Sequence, residues 1–376
     1  MARSAYIHVP FCAHRCGYCD FTLIAGRDDL IGDYLRALCR EIESACPQIE
    51  SPIELDTLFF GGGTPTHPSC DHLREMFQIV RTRFHLVPDA EVSVEANPLD
   101  LTDEKIALLA DSGVNRISLG VQSFSPDALI LLERDHSTAD IDHVIHRLRQ
   151  RCTNISLDLI FGVPGQSLED WKQTLRQAID QGPQHISTYG LTWETGTAFG
   201  TRRDRGELVP IDEGLERDQY ALAIEELEQA GFEQYEISNF AKPGFRCRHN
   251  EVYWAGDEYW AFGPGAARYL NGRRETNIRS VLGWLARIER GESPVTDAEE
   301  LEPIHRAREL LFLGLRRCDG IDRTDYFRRT GQELNTFAQS AIADNVARGW
   351  LESTETGIRL TREGRFVADR VVADFL

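Results

Sequence analysis

The sequence predicts an α/β fold, with a partial (β/α)6 TIM-like barrel followed by a C-terminal α+β domain of winged-helix-like character. Short apolar runs alternate with amphipathic stretches through the first two thirds of the 376 residues. A segment rich in glycine and aromatic residues follows, and beyond residue 300 helical patterns precede a short hairpin pattern. The hydrophobic content of 41% is sufficient for a sizeable core and more than one domain.

The barrel prediction comes from six apolar runs. The runs that predict strands are residues 5–9, 55–60, 91–95, 116–121, 155–160 and 185–191. The stretches that predict helices between them are residues 30–44, 71–84, 103–111, 141–149 and 168–181. Such alternation predicts a parallel sheet with right-handed crossovers. Six units are too few for a complete eight-stranded barrel, so we expect an open one, and a flat doubly wound sheet is the alternative.

The rest of the chain divides into two further parts. A helix is expected at residues 212–230, a strand at 235–237, and a loop-built aromatic layer at 238–277. Helical patterns at 305–315 and 333–349 precede two short strands within 350–360. The predicted domains are therefore a barrel at 1–235, an aromatic-rich layer at 236–299 and a helical, winged-helix-like domain at 300–376.

Charge disfavours nucleic acid and anionic membranes as partners. Sixty acidic side chains against 41 basic ones give a formal net charge of −19. Residues 300–376 hold 13 acidic and 12 basic residues, so the winged-helix-like domain lacks the basic footprint of a DNA-binding module. No apolar run approaches the ~18 residues of a transmembrane segment, and no secretory h-region precedes the first cysteine. We expect a cytoplasmic protein.

Three cysteines carry the clearest chemical signal. They lie in Cys12-Ala-His-Arg-Cys16-Gly-Tyr-Cys19, directly after the first predicted strand, whereas the other six of nine are scattered. Cysteine thiolates are the usual ligands of iron–sulfur clusters. Three of them on one short loop can bind three irons of a cubane and leave the fourth open. The alternative is a zinc site completed by His14 or a distant ligand, although zinc sites usually repeat a cysteine pair, and no second pair occurs here.

At these residues the sequence resembles radical SAM proteins, whose signature is the C-x3-C-x2-C spacing. The resemblance implies a radical SAM barrel and a [4Fe–4S] cluster whose open iron is chelated by S-adenosylmethionine (SAM). Cleavage of SAM in that family yields a 5′-deoxyadenosyl radical. The preceding Tyr6-Ile-His-Val-Pro-Phe-Cys12 narrows the likeness to the group of oxygen-independent coproporphyrinogen III dehydrogenases and their heme-binding relatives, over almost the whole chain.

The resemblance also implies which residues contact SAM. Consecutive glycines after the second predicted strand permit close backbone approach to a ligand. Polar side chains at later strand ends converge on the barrel mouth. The residues expected to contact SAM are Tyr6, Gly62, Gly63, Thr64, Glu95, Gln122, Arg134 and Asp158, with Thr192 a further candidate. Taken singly, each also fits an ordinary polar position at a strand end or on a helix surface.

Two features distinguish members of this group. The dehydrogenases carry a further cysteine two residues after the triad, where this chain has Phe21. Arg248-His-Asn-Glu-Val-Tyr-Trp254 resembles the HNxxYW motif of HemW-type heme chaperones. The residues expected at the heme are therefore His249, Asn250, Tyr253 and Trp254, with Cys247 as a second thiolate candidate. The alternative is a buried, hydrogen-bonded histidine inside an aromatic mini-core.

The resemblance therefore favours a heme chaperone that carries a [4Fe–4S] cluster and SAM. Such a protein binds heme and passes it to acceptor proteins, and membrane respiratory proteins are candidate acceptors. Whether it is an enzyme is left open. The rival function is oxidative decarboxylation of coproporphyrinogen III. A third, a heme-degrading methyltransferase of the same superfamily, would lack the His249-Asn250 context.

Overall fold

The computed structural model describes residues 2–45 and 52–375. The ninth cysteine, Cys46, lies outside these ranges. No helix within them is long and apolar enough to cross a membrane.

The first part of the chain supplies the strands of an open barrel. Its strands are β1 (Ser4–Val9), β2 (Phe11–Cys12), β3 (Ile24–Ala25), β4 (Ile53–Gly62), β5 (Phe84–Ala96), β6 (Arg116–Gln122), β7 (Asn154–Phe161) and β8 (His185–Gly190). All six predicted barrel strands are present. They pair in the order β1-β4-β5-β6-β7-β8, and each pair is parallel.

This strand order separates the two architectures that the sequence left open. A doubly wound sheet reverses direction at a switch point, so that early strands lie in the middle. Here each barrel strand lies beside the preceding one without reversal, which is the winding of a barrel. The outer strands of the sheet do not pair with each other within the described residues, so the barrel is open, as predicted.

The helices between the strands cover the barrel. They are α1 (Ile31–Ala45), α2 (Cys70–Arg81), α3 (Asp103–Asp111), α4 (Pro126–Leu131), α5 (Thr138–Leu148), α6 (Leu168–Asp180), α7 (Ala198–Asp204) and α8 (Glu213–Gln229), with 3-10 turns at Asp28–Leu30 and Pro98–Asp100. Helices α5 and α6 begin at capping boxes, in which Ser137 and Ser167 satisfy free backbone N–H groups. The helix predicted at residues 71–84 extends too far, because α2 ends at Arg81 and β5 begins at Phe84.

The middle of the chain is more regular than predicted. Its elements are β9 (Glu233–Gln234), β10 (Asn239–Ala241), α9 (Arg248–Ala255), β11 (Trp260–Phe262), β12 (Ala267–Leu270), β13 (Arg273–Asn277), α10 (Val281–Glu289) and β14 (Val295–Glu300). The predicted strand at 235–237 is wrong, because a bend there separates two antiparallel strands, β9 and β10.

The expected loop-built layer at 238–277 is also wrong. Strand β10 extends one edge of the barrel sheet beside β8, and β11 extends the other edge in parallel with β1. Trp260 and Phe262 are buried in the barrel core. Aromatic residues in a short segment therefore form a buried edge strand here, which is an environment that suits them.

The C-terminal part is a small α+β domain, as predicted. It contains α11 (Pro303–Gly314), β15 (Ile321–Asp322), α12 (Arg323–Thr330), α13 (Leu334–Phe337), α14 (Gln339–Ala347), β16 (Leu351–Ser353), β17 (Gly357–Leu360), α15 (Arg362–Arg365) and α16 (Ala368–Ala373). Its sheet has the order β15-β17-β16 over a separate apolar core. The single helix expected at 333–349 is interrupted at Ala338, whose φ of −125° is not helical.

Candidate functional site

The cysteine loop leaves the carboxyl end of β1 and is closed at its base by a two-residue parallel pair, β2 with β3. Cys12 is buried, whereas Cys16 and Cys19 are half-buried, and none of the three is in a disulfide. A hydrogen bond of 3.0 Å from the amide of Cys19 to the carbonyl of Cys16 turns the loop back on itself. All three thiols line one cavity at the barrel mouth.

Glu133 holds this loop in place, a role that the sequence analysis missed. Its carboxylate accepts hydrogen bonds from the backbone N–H of Gly17 at 2.9 Å and from His14 Nε2 at 3.0 Å. Glu133 itself has a φ of 55°, an uncommon conformation for a residue with a side chain. Its position beside Arg134, a predicted SAM contact, is the signal that could have identified it.

His14, the fourth zinc ligand considered from the sequence, lines the same cavity as the cysteines, and its Nε2 is hydrogen-bonded to the Glu133 carboxylate. Within residues 2–45 and 52–375, no three His, Cys, Asp or Glu side chains are grouped as they would be around one metal ion. Three thiols line one cavity, and in a cubane each of them would bind a different iron.

The cavity has a volume of about 410 Å³ and is the place where the predicted SAM contacts meet. Those that line it are Gly62, Gly63, Thr64, Glu95, Gln122, Arg134, Asp158 and Thr192. They come from the carboxyl ends of different strands and the loops that follow, as in other barrels. Tyr189, also at this cavity, was not predicted and keeps 43% of its surface exposed.

The glycines after β4 are required by close packing. A Cβ on Gly63 would lie 2.8 Å from the carbonyl oxygen of Phe11 and 3.1 Å from Cys12 Sγ. Gly62 has a φ of 116°, in the region that favours glycine. Thr64 Oγ1 lies 3.0 Å from Cys12 Sγ, so this turn packs directly on the cysteine loop. The glycine run therefore brings backbone to the edge of the candidate cluster site.

An uncommon backbone conformation sets the direction of the Gln122 side chain. It has a φ of 66°, and the pairing of β6 with β7 shifts register between Gly120 and Gln122. Bulges of this kind redirect side chains and are frequent next to functional sites. Arg134 approaches the same place, donating to the Gly120 carbonyl at 3.0 Å and lying 3.8 Å from Cys16 Sγ, while its buried Nε has no partner within the described structure.

Two carboxylates make the cavity suited to a positively charged ligand. Glu95 accepts the N–H of Gly62 at 3.0 Å, and both oxygens of Asp158 lie 3.0 Å from the Ser118 hydroxyl. Burial and the nearby Asp158 raise the pKa of Glu95 to about 8, and burial raises the pKa of Asp158 as well. A cationic ligand would offset this cost of ionisation.

The thiols also fit a metal cluster. Burial raises the pKa of the Cys12 thiol to about 11 and raises that of Cys19. A free thiolate is therefore disfavoured at this position, whereas coordination to iron deprotonates a thiol. The donors present fit both groups, with three thiols for a cluster, two carboxylates for a sulfonium and amino group, and Arg134 for a carboxylate.

Tyr6 lies apart from the cavity lining. Its hydroxyl is 3.1 Å from His8 Nδ1, and its ring stacks on Phe59. His8 in turn donates from Nε2 to the carbonyl of Thr22 at 2.6 Å, and burial lowers its pKa. Tyr6 and His8 therefore position the far end of the cysteine loop, and a contact from Tyr6 to SAM stays a prediction.

His249 occupies a buried position in α9. Its Nδ1 is 2.8 Å from the Thr57 hydroxyl and its Nε2 is 2.9 Å from the Tyr253 hydroxyl. Its ring stacks on Phe59 with centroids 5.2 Å apart, and burial lowers its pKa to about 3. This is the geometry of the alternative raised from the sequence. Coordination of heme iron would require His249 to give up a ring hydrogen bond, so its ligand role stays a prediction.

The other motif residues surround this histidine without lining the cavity. Glu91 accepts the N–H groups of Arg248 and His249 at 2.9 Å and 3.1 Å, and so places a carboxylate at the N-terminus of α9. Trp254 lies under Arg316 of the C-terminal domain at 5.0 Å. Asn250 is half-buried and Cys247 is buried. The motif thus links the barrel wall to the C-terminal domain, and heme binding by these residues stays a prediction.

Comparison with known protein families agrees with this geometry. The radical SAM superfamily profile matches residues 6–178, which include the cysteine loop, and the HemN C-terminal domain profile matches residues 301–367. The open barrel and its cysteine loop are thus those of a radical SAM protein. Membership of this superfamily implies SAM and a [4Fe–4S] cluster.

Relatives that match this chain over its full length show which family of the radical SAM superfamily it belongs to. The heme chaperone HemW of Bacillus subtilis is 35% identical over 376 residues, covering 100% of this chain and 99% of that protein. The heme chaperone HemW of Escherichia coli is 32% identical, covering 99% of this chain and 98% of the relative. The chain belongs to the HemW family.

A solved structure supports the fold. Coproporphyrinogen III oxidase (HemN) from Escherichia coli, described as a radical SAM enzyme, superimposes with a TM-score of 0.87. The match covers 99% of this chain and 89% of that chain at 21% identity. The barrel and the C-terminal domain therefore share the HemN architecture, as the sequence predicted.

Proposed function

We propose that this protein is a heme chaperone, which binds heme and transfers it to acceptor proteins. The observation that carries the proposal is its similarity, over essentially the full length of both chains, to proteins named heme chaperone HemW. The position of Phe21 agrees with it. This side chain, 57% exposed, lies on the cysteine loop where the dehydrogenases of the group carry a further cysteine.

The same proposal assigns a cluster and SAM to the barrel mouth. Cys12, Cys16 and Cys19 would hold a [4Fe–4S] cluster, and Glu95 and Asp158 would face the cationic parts of SAM. In this superfamily, the two groups together supply a 5′-deoxyadenosyl radical. The chain itself orients SAM through these carboxylates, binds its carboxylate with Arg134, and holds the cysteine loop through Glu133 and His8.

The second candidate is oxidative decarboxylation of coproporphyrinogen III. The close structural likeness to HemN favours it, but at 21% identity this likeness concerns the fold alone. The full-length relatives at higher identity carry the chaperone name. We therefore favour the chaperone.

Partners and location follow from the same proposal. The acceptors would be heme proteins, with membrane respiratory proteins as candidates. We also propose a cytoplasmic location. Eight cysteines are free within the described structure, and free thiols are typical of a reducing compartment.

One preparation tests both functions. Anaerobically reconstituted protein is titrated with heme, and a second portion receives SAM, dithionite and coproporphyrinogen III. We expect a Soret band that saturates near one heme per chain, and no protoporphyrinogen. Sustained decarboxylation together with no heme binding would reverse the assignment.

A further inference from the structure

A second cavity of about 410 Å³ lies beside the cavity at the barrel mouth, which we call the SAM cavity. Its walls are residues 20–24 of the cysteine loop and residues 279–282, where α10 begins. A volume in the range of ~300–1,000 Å³ is typical of small-molecule sites. We call this cavity the loop groove. It adjoins the SAM cavity, because Asp20 and Phe21 line both.

The loop groove presents unusual apolar surface. Phe21 is 57% exposed and Leu282 is 51% exposed, although most large apolar side chains of this protein are buried. One comes from the cysteine loop and the other from α10, so two elements contribute to the same apolar surface. Small-molecule sites are typically lined by apolar side chains together with a few polar groups, as this cavity is.

Two guanidinium groups flank this apolar surface. Arg15 donates to the carbonyls of Cys19 and Leu23 at 3.2 Å and 2.8 Å. Arg279 donates to the carbonyl of Asp20 at 2.6 Å and to the Thr22 hydroxyl at 3.2 Å. Among the residues that the structure describes, neither has a carboxylate within 4.0 Å. A guanidinium has five N–H donors, so each keeps donors for an anion.

These features define the chemistry of the occupant. A groove lined by apolar side chains and by two guanidinium groups without a carboxylate partner suits a flat apolar molecule that carries two carboxylates. Arginine pairs with carboxylates in a bidentate way, and aromatic rings pack on flat faces. The formal net charge of −19 disfavours binding of a dianion to most of the protein surface. The two arginines supply local positive charge, so a dianion can bind at this groove.

We propose that the loop groove binds the porphyrin cargo, with Arg15 and Arg279 each pairing with one propionate and with Phe21 and Leu282 contacting the macrocycle. This inference rests on the proposed chaperone function and gives it a location. The site differs from the buried His249 segment, whose residues do not line the groove. Asp20 also lines the groove and is exposed, and its negative charge opposes the propionates.

The test compares heme with heme dimethyl ester, in which both propionates lose their charge. Both are titrated against the full chain and followed by Soret absorbance. We expect the parent chain to bind heme at least about ten-fold more tightly than the ester, as for loss of a hydrogen bond to a charged group. Arg279→Gln and Arg15→Gln should each weaken heme binding about ten-fold and leave ester binding unchanged.

Matched variants separate recognition from loop disruption. Arg290→Gln, at an exposed arginine paired with Glu292 at the end of α10, should change neither affinity. Asp20→Asn should tighten heme binding a few-fold but not ester binding, a gain that loop damage would not produce. Iron content is measured in every variant, since Arg15 lies between two cluster ligands.

The outcomes are distinguishable. If the parent chain binds no heme, the proposed function falls. If it binds heme and ester equally, and the arginine variants bind heme normally, the chaperone stands and the loop groove is overturned. Loss of the Soret band in His249→Gln, with normal binding in Arg279→Gln, would likewise overturn the groove and assign heme to the motif.

Discussion

Glu95 and Asp158 are the two residues whose ionisation state most directly affects binding of a cationic ligand. In the cavity, each ionised carboxylate lacks the hydration that it would have in water, and the charge of Asp158 further raises the pKa of Glu95. Since the pKa of Glu95 is about 8, much of its population is protonated at neutral pH in the absence of a cation. Binding of a sulfonium ion would favour release of that proton.

SAM affinity should therefore depend on both residues and on pH. Glu95→Gln and Asp158→Asn should each weaken binding by about 1.5–3 kcal/mol, roughly ten- to a hundred-fold. In the parent chain, affinity should rise as the pH increases towards about 8 and then level off, because below a pKa of about 8 the free Glu95 carboxyl must release a proton before it can pair with the sulfonium. The rise should be smaller in Glu95→Gln. Calorimetric titration of cluster-loaded protein measures these affinities.

The control for this prediction is Glu228→Gln, since Glu228 is exposed on α8 and does not line the cavity. Equal affinity and an equal pH dependence in parent and Glu95→Gln, with iron content unchanged, would remove Glu95 from the SAM site.

The cysteine triad should account for the protein's iron. After anaerobic reconstitution, the parent chain should carry about four irons, as expected for a [4Fe–4S] cluster. Replacing Cys12, Cys16 and Cys19 together with alanine should remove them, because three thiolate ligands are lost. Cys39→Ser with Cys70→Ser is the matched control, as both thiols are free and half-buried. Iron that persists in the alanine variant, or tightly held zinc, would contradict the assignment.

The sequence was most informative where function depends on a local motif. The spacing of Cys12, Cys16 and Cys19 identified a loop whose three thiols line one cavity, and the Gly-rich turn packs beside it. Glu133 and His8 escaped prediction because their roles depend on contacts made through space, across 116 and 14 positions of the chain. The burial of His249 was likewise one of two alternatives, since a motif does not reveal which way a helix faces.

At the scale of elements, one buried carboxylate connects α1 to the segment that completes the sheet. Glu41 accepts hydrogen bonds from the N–H of Gly263 at 2.9 Å, from Asn277 Nδ2 at 2.6 Å and from Trp284 Nε1 at 3.2 Å. These partners follow β11, end β13 and lie in α10. The three groups are all donors, so only a side chain with two acceptor oxygens satisfies them.

Glu41→Gln should therefore destabilise the fold. The amide NH2 of glutamine would face at least one donor, and a buried donor left without an acceptor costs about 1–3 kcal/mol. Urea unfolding of the cluster-free chain measures the change. Glu43→Gln, exposed on the same helix, should shift the unfolding free energy by less than about 0.5 kcal/mol. Unchanged stability in Glu41→Gln would show that this contact does not hold α10 and β11 to the barrel.

Element predictions succeeded where the periodic pattern was long and failed where tertiary contacts decide. Long apolar runs gave all six barrel strands, because buried parallel strands are apolar throughout. Strand β11 has three residues and forms because β1 offers an unpaired edge, which no local pattern shows. The break between α13 and α14 at Ala338 carries no Gly or Pro signal.

At the scale of the whole molecule, the C-terminal domain packs on the barrel through named contacts. Phe366 meets Tyr220 edge-on with centroids 5.4 Å apart, and Arg365 donates to Gln234 at 2.8 Å. Arg316 lies over Trp254 of the HNxxYW motif. The motif, the barrel edge and the C-terminal domain therefore form one continuous structure, and residues of the cysteine loop line both cavities.

Cofactor and cargo thus occupy neighbouring sites in this account, with SAM at the barrel mouth and heme in the loop groove. The apolar and charged residues of the groove come from segments about 260 positions apart in the chain, Thr22 and Arg279 for example being separated by 257. Sequence reasoning could not bring them together, because a contact across 257 positions leaves no local pattern in the chain.

Transfer of heme to an acceptor distinguishes a heme chaperone from a protein that only binds heme. Heme-loaded protein is mixed with membrane vesicles from heme-starved bacteria, and heme-dependent quinol oxidation by the vesicles is followed. We expect the loaded chain to restore oxidation faster than an equal concentration of heme bound to serum albumin, while the Soret band of the chain declines. A chain that retains its heme, or restores oxidation no faster than heme on albumin, would contradict a chaperone function.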